Sequence, residues 1–585
     1  MGFTRRPPEK GGFLFLGGKR QVQTVSPANA QGRGRLNDSR AVAIIMDVVF
    51  VGAPPSDRGQ NAGEVRGVWC FNCIRSLEVV LTGHFRILAL LGMAAGAGLA
   101  SYGEDWPMWR YDEGRTASSP EELAGELHLQ WLNHYPARTP VWEDPLNQDL
   151  MPYDAVYEPV VAGDTAYLGF NDSDKVIALD LRTGEERWTF YCDGPVRLPP
   201  VVWRDRVLFV SDDGHLYCVR ASDGTLVWKR RGGPSDRKIL GNSRLISTWP
   251  ARGGPVVSEG VVYWAASIWP FMGVFLYAHD IESGELVWIN DGESARFRQQ
   301  PHGGAVSFAN VAPQGPFALN GDALLVAGGR SVPAAFERTT GEFRYYRVAD
   351  YNKTGGSFIA TLGDLFFNHY RERVTSVYNL ADGELVCPQI GKHPVLTREL
   401  MYLSGPEIAA IDMPAFQRDP ATLEGAAAWS LAVDASGDLI KAGGRLYAGG
   451  DGRITAVEPP GPGGEPRVAW VKAVDGKIER LVAANGTLLV VTQDGRVMAF
   501  GPKPATPVVR PLPPSITSPP EPALKQADAI LAQTGIREGY ALVYGPGDGT
   551  LVEALAAKSN LHLVAVSADA GEVERLRRKF DGLGL

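Results

Sequence analysis

The chain has 585 residues, with 66 acidic against 58 basic side chains, a formal net charge of -8, 68 glycines and 42 prolines. A length above ~250–300 residues exceeds one ordinary hydrophobic core. The acidic balance, without a sustained Lys/Arg cluster, excludes a general nucleic-acid binder with a basic face, and five cysteines exclude a disulfide scaffold in a chain this long.

Residues 1–83 lack periodicity and are rich in Gly and Arg, as in RRPPEKGG and QGRGR. They read as a disordered extension or as sequence before a misassigned start. Cys70 and Cys73 form a CxxC, but no second ligand pair follows at zinc-site spacing. Residues 84–103, GHFRILALLGMAAGAGLASYG with its first glycine at 83, place His84 and Arg86 before an apolar run and then small residues. The run is too short for the ~20 residues of a membrane span and fits a signal-peptide core; the alternative is a short buried helix. The signal reading makes the protein exported, periplasmic or otherwise, with its mature start near residue 101 and no stable membrane span after the signal is removed.

From residue 104 the chain repeats itself. ALDLRTGEERW closes at Trp188, CVRASDGTLVW at Trp228, AHDIESGELVW at Trp288, AFERTTGEFRY at Tyr345 and VYNLADGELVC at Cys387. Each joins two β-runs through a turn whose glycine (Gly184, Gly224, Gly284, Gly341, Gly383) supplies the positive φ of a tight hairpin. Two further strand runs precede each hairpin, as PPVVW and RVLFVSDD precede Trp228. Weaker copies close at Trp429 and Trp470, and the copy ending at Phe500 lacks its last strand, which LHLQWLNHY around Trp131 supplies from the other end. The expectation is a mainly β chain: an eight-bladed β-propeller of four-stranded antiparallel blades over residues 104–501, its edges hidden by that closure.

These D-x-x-[TSD]-G-x-x-x-W units resemble the repeats of the pyrroloquinoline-quinone-like propeller superfamily, which includes quinoprotein alcohol dehydrogenases and an outer-membrane assembly lipoprotein. DWPMWRYDEGRTASSPEEL and GGPSDRKILGNSRLISTWPARGGPVV also look like large exported planctomycete-type proteins that join such a propeller to a methyltransferase-like domain. The resemblance implies pyrroloquinoline quinone (PQQ) with Ca²⁺ as a cofactor of one branch. This sequence departs from that branch: it has no adjacent Cys pair and no CxxCH haem-attachment site.

The residue ahead of each innermost strand is expected at the channel mouth. Aligning RLPPVV, RGGPVV and HGGAVS places Arg197, Arg252 and His302 at equivalent positions, with Arg330 of GGRSVP nearby. Converging guanidiniums suit an anionic ligand; the alternative is that rim arginines bond loop carbonyls. Trp249, Trp269 and Phe271, in the insertions STWPARGG and SIWPFMGV, are candidates to wall that mouth, or merely to pack.

Residues 502–522 are a Pro-rich linker with nine prolines. Residues 523–585 alternate helix and strand, with Gly545, Gly547 and Gly549 after the first strand, which predicts a partial Rossmann-like segment. It resembles the start of class I S-adenosylmethionine-dependent methyltransferases. Val543 and Ser567 stand where that family carries acids, Asp569 is the substitute for the ribose-binding carboxylate, and the later strands do not follow. The readings are therefore an exported propeller that binds a ligand or protein partner and carries a vestigial or truncated methyltransferase-like segment, a PQQ-dependent oxidoreductase, or a piece of an S-adenosylmethionine-dependent fusion protein.

Overall fold

A computed structural model describes residues 22–25, 43–45, 103–142, 150–293, 296–299, 305–308, 310–329, 331–348, 354–370, 374–420, 423–461, 463–512 and 518–585. The CxxC, nearly all of the signal-like segment, His302 and Arg330 lie outside them.

The chain is mainly β. Among the described residues, six separate four-stranded antiparallel sheets start at the strands Val160–Ala162, Val201–Trp203, Gly253–Ser258, Ala318–Asn320, Thr354–Leu362 and Val395–Leu396. A nine-stranded sheet contains two more such ladders, which share the long strand Arg467–Ala484. The seventh ladder starts at Asp438–Ala442. The eighth starts in the second half of Arg467–Ala484 and ends on His128–His134, which pairs antiparallel with Arg496–Gly501. The positions 131, 188, 228, 288, 345, 387, 429 and 470 each lie on the outer strand of a different ladder.

One short segment touches the first strand of seven ladders and the turn that follows the first strand of the eighth. Along residues 104–119, the carbonyl of Glu104 accepts from Asn485 N–H, that of Trp106 from Val161, Pro107 from Val202, Glu113 from Leu319, Gly114 from Thr361, Thr116 from Leu396 and Ala117 from Lys441, at 2.8–3.1 Å. The third ladder is reached by a side chain, since Arg115 Nη2 donates to Pro255 C=O at 3.2 Å. Arg115 is fully buried and also donates to the carbonyls of Phe317 and Trp109. The segment therefore ties the first strands together at the end where each turns into its second strand.

The repeat glycines do more than permit the turn. They have φ of 66–73°, and a Cβ added to any of them would strike the bulky ring of the preceding ladder: 2.5 Å from Trp131 at Gly184, 2.6 Å from Trp188 at Gly224, 2.8 Å from Trp228 at Gly284, 2.5 Å from Trp288 at Gly341 and 2.7 Å from Tyr345 at Gly383. Each ring also donates to a carbonyl of that same turn, Trp131 to Leu181, Trp188 to Ala221, Trp228 to Ile281, Trp288 to Arg338 and Tyr345 to Leu380, at 2.8–2.9 Å. The turn and the aromatic thus form one joint between neighbouring ladders.

The linker is not wholly free of pairing: Val508–Arg510 adds a parallel strand outside His128–His134. Beyond it, the parallel strands Glu538–Tyr544 and Asn560–Val566 are joined through helix Thr550–Lys558, with helices Glu521–Thr534 and Ala570–Gly582 beside them. Two short stretches of the extension, Val22–Val25 and Ala43–Ile45, pair in parallel on the two edges of this sheet. The last helix docks on the first ladder, with Asp581 held by Lys175 (2.6 Å) and by the Tyr191 hydroxyl (2.9 Å), and Arg577 held by Asp193 (2.7 Å).

Candidate functional site

Arg197 and Arg252 do come together at the end of the first strands opposite the 104–119 segment, but they converge on carboxylates of the chain itself. Arg197 donates to Asp212 (2.6 Å) and Asp154 (2.7 Å), and Arg252 makes a two-point contact with Asp212 (2.7 and 2.8 Å) and reaches Asn242 Oδ1 (3.0 Å). All four charged groups are buried, Arg252, Asp212 and Asp154 completely. Burial pushes the Asp212 carboxyl up, yet Arg197 and Arg252 more than offset it and hold it below the usual range. Asp154 is further fixed by Val141 N–H and Asn171 Nδ2, while Arg138 spends its guanidinium on the carbonyls of Asp154, Gly169, Val196 and Arg197. Among the described residues only Arg252 Nη1 is left buried without a hydrogen-bond partner in this group.

The alignment through HGGAVS is corrected. Val306–Phe308 is not the first strand of the fourth ladder but half of an inserted hairpin with Phe297–Gln299. The fourth ladder starts at Ala318–Asn320, and the position matching Arg252 is Gln314 in QGPFAL. Gln314 Oε1 accepts from Trp142 Nε1 (2.7 Å) and from the Tyr153 hydroxyl (3.4 Å). The inserted run is also apolar and is followed by Ala-Val, which made it look like the start of a ladder.

The aromatic residues are brought together. Trp249 donates to Met272 C=O (2.9 Å), and Trp269 meets Trp142 edge to face, with centroids 6.1 Å apart. Trp269 and Phe271 remain 41% and 61% exposed. A second buried ion group lies at the other ladders, where Arg480 clamps Glu158 (2.5 and 2.6 Å) and approaches Asp438 (3.3 Å), with Arg110 3.9 Å from Asp438. Burial lowers Arg110 to about 10, against the pull of Asp438. Sequence reasoning missed Asp154, Asp212, Asn242, Trp142 and this second group. No local signal marks Asp212, which lies 15 residues from Arg197 and 40 from Arg252 in the chain.

Among the described residues no group of three or more His, Cys, Asp or Glu side chains is placed to hold a metal ion. Cys192, Cys218 and Cys387 are single and buried, and burial pushes their thiols up.

In the C-terminal segment, Gly545 and Gly547 have φ of 63° and 61° with open space where a Cβ would stand, whereas a Cβ at Gly549 would meet Leu576 at 2.6 Å. Asp569 caps the last helix, accepting from Gly571 N–H at 2.8 Å, and Val543 is buried in the core. Ser567 donates to Glu572 at 2.5 Å, which brings the carboxylate of a residue the sequence reading did not select beside the end of the second strand.

Residues 135–248 match the family model described as outer membrane protein assembly factor BamB. No curated protein matches the chain. Similar solved structures include BamB from Moraxella catarrhalis (13% identity, 62% of this chain and 99% of that one, TM-score 0.41), a europium-containing methanol dehydrogenase (14%, 68% and 98%, 0.45) and the quinohemoprotein alcohol dehydrogenase of Comamonas testosteroni (15%, 73% and 85%, 0.44).

Proposed function

We propose that the eight ladders close into an eight-bladed propeller that serves, outside the cytoplasm, as a protein-interaction scaffold rather than as a dehydrogenase. The ring reading is supported by the 104–119 segment, which reaches seven first strands and the turn after the eighth, and by Trp131, which joins the last ladder to the first. The scaffold reading rests on one observation: the guanidiniums of the channel mouth are neutralised internally, Arg197 and Arg252 by Asp212 and Asp154. A ligand carboxylate would have to displace a fully buried partner, and breaking such a pair costs about 3–5 kcal/mol. The anion site expected at Arg197, Arg252, His302 and Arg330 is therefore proposed only for the remaining N–H of Arg252. Export rests on the apolar run in residues 84–103 and agrees with a family named for outer-membrane protein assembly. Reconstitution of the purified chain with PQQ and Ca²⁺ tests the reading. No quinone absorbance and no dye reduction are expected, and dye reduction would overturn it.

A second reading concerns the C-terminal segment, which we take as a partial Rossmann-like unit. The open glycines at 545 and 547 and the Glu572 carboxylate favour retained S-adenosylmethionine binding; the capping role of Asp569 opposes it. Calorimetry decides: no heat retires cofactor binding, and micromolar binding lost in Glu572→Gln supports it.

A further inference from the structure

The connection between the second and third ladders folds into a hairpin, Lys238–Gly241 against Arg244–Ser247. Its inner strand is anchored. Ser247 N–H donates to Asp212 C=O (2.8 Å), and Asn242 at the tip donates to Val141 C=O (3.1 Å) while accepting from Arg252 (3.0 Å). The outer strand exposes Ile239 (37%) and Leu240 (54%). Register decides which main-chain groups are free. Thr248 N–H donates to Arg237 C=O across the hairpin (2.9 Å). Antiparallel pairing alternates, so Ile239 and Gly241 also bond inward, while Lys238 and Leu240 direct N–H and C=O outward. Among the described residues this sheet has two strands and nothing pairs with that edge. The exposed rings of Trp269 and Phe271 flank Met272, whose carbonyl accepts from Trp249, and Trp249 N–H donates to Ser247 of the hairpin stem.

We propose that the edge Lys238–Gly241 takes an extended segment of a partner protein as a third strand, one with apolar residues at alternate positions and acidic residues at its flank. This rests on the scaffold reading and names its surface. Charge selects the partner. Residues 229–238 carry five cations (Lys229, Arg230, Arg231, Arg237, Lys238); Arg230 is held on the Ser283 and Gly284 carbonyls and Arg231 pairs with Asp236, which leaves Lys229, Arg237 and Lys238 near this edge in a chain of net charge -8. Two copies meeting at this edge would bring two such sets together, which like-charge repulsion disfavours, whereas an acidic segment is drawn in. A lipid surface would suit the apolar and cationic side chains, but the hydrocarbon interior offers no partner to the main-chain groups of Lys238 and Leu240. A strand satisfies both sets at once.

The test uses the full chain and a capped peptide of about ten residues, alternating valine and threonine between pairs of aspartates, with a lysine-flanked twin as control, a length matched to a short edge strand. Hydrogen exchange at Lys238 and Leu240 should slow on adding the acidic peptide while that of Ile239, already bonded, changes little. Leu240→Pro removes an outward N–H but no bond of the hairpin, so it should weaken peptide binding about tenfold or more with the thermal midpoint kept. Charge reversal at Arg237 and Lys238 should weaken it similarly, and the lysine-flanked peptide should bind about tenfold less than the acidic one. Wild-type affinity in Leu240→Pro overturns the proposal. So does unchanged exchange at the two amides, protection by anionic vesicles (phosphatidylserine in phosphatidylcholine) without protection by peptide, or protection that appears only as the chain dimerises. The assay needs no cofactor. Dye reduction by a chain that still binds peptide would end the scaffold reading alone, and a chain without dye reduction that ignores peptide would end this inference alone.

Discussion

Two stretches of the ladder series solve the same joint differently. From the eighth ladder round to the fifth, every ring on an outer strand lies against the glycine of the next turn and donates to one of its carbonyls. Further on the pattern fails. Cys387 faces a ladder whose last two strands are joined through helix Met413–Arg418, and the indole N–H groups of the half-buried Trp429 and Trp470 are buried without a hydrogen-bond partner among the described residues. For Trp470 the cause is the closure itself. The final ladder takes its outer strand from residues 128–134, so no hairpin turn follows its third strand to receive the indole. The tryptophan and the glycine are two halves of one contact, and a tryptophan without the glycine is only a packed ring.

Breaking an intact joint should cost most. Gly224→Val demands a left-handed φ of a β-branched residue and drives a Cβ to 2.6 Å from Trp188; we expect a loss of about 3–6 kcal/mol, read from the denaturation midpoint. The intact stretch also holds His279, whose Nδ1 accepts from Trp264 Nε1 at 3.1 Å. Burial, with help from Arg230, lowers it from 6.5 to about 4. A base depressed in the fold contributes stability that is complete above the unfolded value and is lost as pH falls from there through the folded one. Stability should thus drop by on the order of 3 kcal/mol between pH 6.5 and pH 4. His279→Gln should flatten that part of the thermal-midpoint profile; an unchanged slope would assign it elsewhere.

Removing the donor alone comes next. Trp228→Phe strands the Ile281 carbonyl and trims a buried ring, for about 2 kcal/mol, while Trp470→Phe strands nothing and should cost about 1 kcal/mol or less. Equal losses would mean that the hydrogen bond contributes little to the difference between the stretches. The smallest effect sharpens the glycine term: Gly163 has φ of 56° with nothing within 4 Å of an added Cβ. Gly163→Ala therefore reports backbone strain alone, about 1 kcal/mol, against which the contact part of Gly224→Ala can be read.

Much of the ladder architecture was legible because a hairpin turn writes its glycine and its closing aromatic at fixed spacing. The Trp131 strand was legible as the missing piece of the ladder ending at Phe500 for the same reason. The candidate mouth was only half legible. Arg197 and Arg252 were found by repeat alignment, but HGGAVS imitated a first strand and Gln314, the true equivalent, did not resemble an arginine. In the C-terminal segment the loop glycines were plain, while Glu572 was not, since helix geometry rather than spacing brings its carboxylate back to Ser567.

By itself, then, the sequence determined the local grammar: strand periods, left-handed turns, the repeat length and the chain's acidity. Such features depend on residues a few positions apart, where backbone sterics and burial periodicity act. Tertiary structure alone decided who neutralises whom. Asp212 is 40 residues from Arg252, and Asp154 is 43 from Arg197; nothing in either stretch marks the pairing. It arises because neighbouring ladders bring their loops to one buried place, where an uncompensated charge is too costly to keep. That same convergence set Asp212 and Asp154 against the guanidiniums expected to bind an anion.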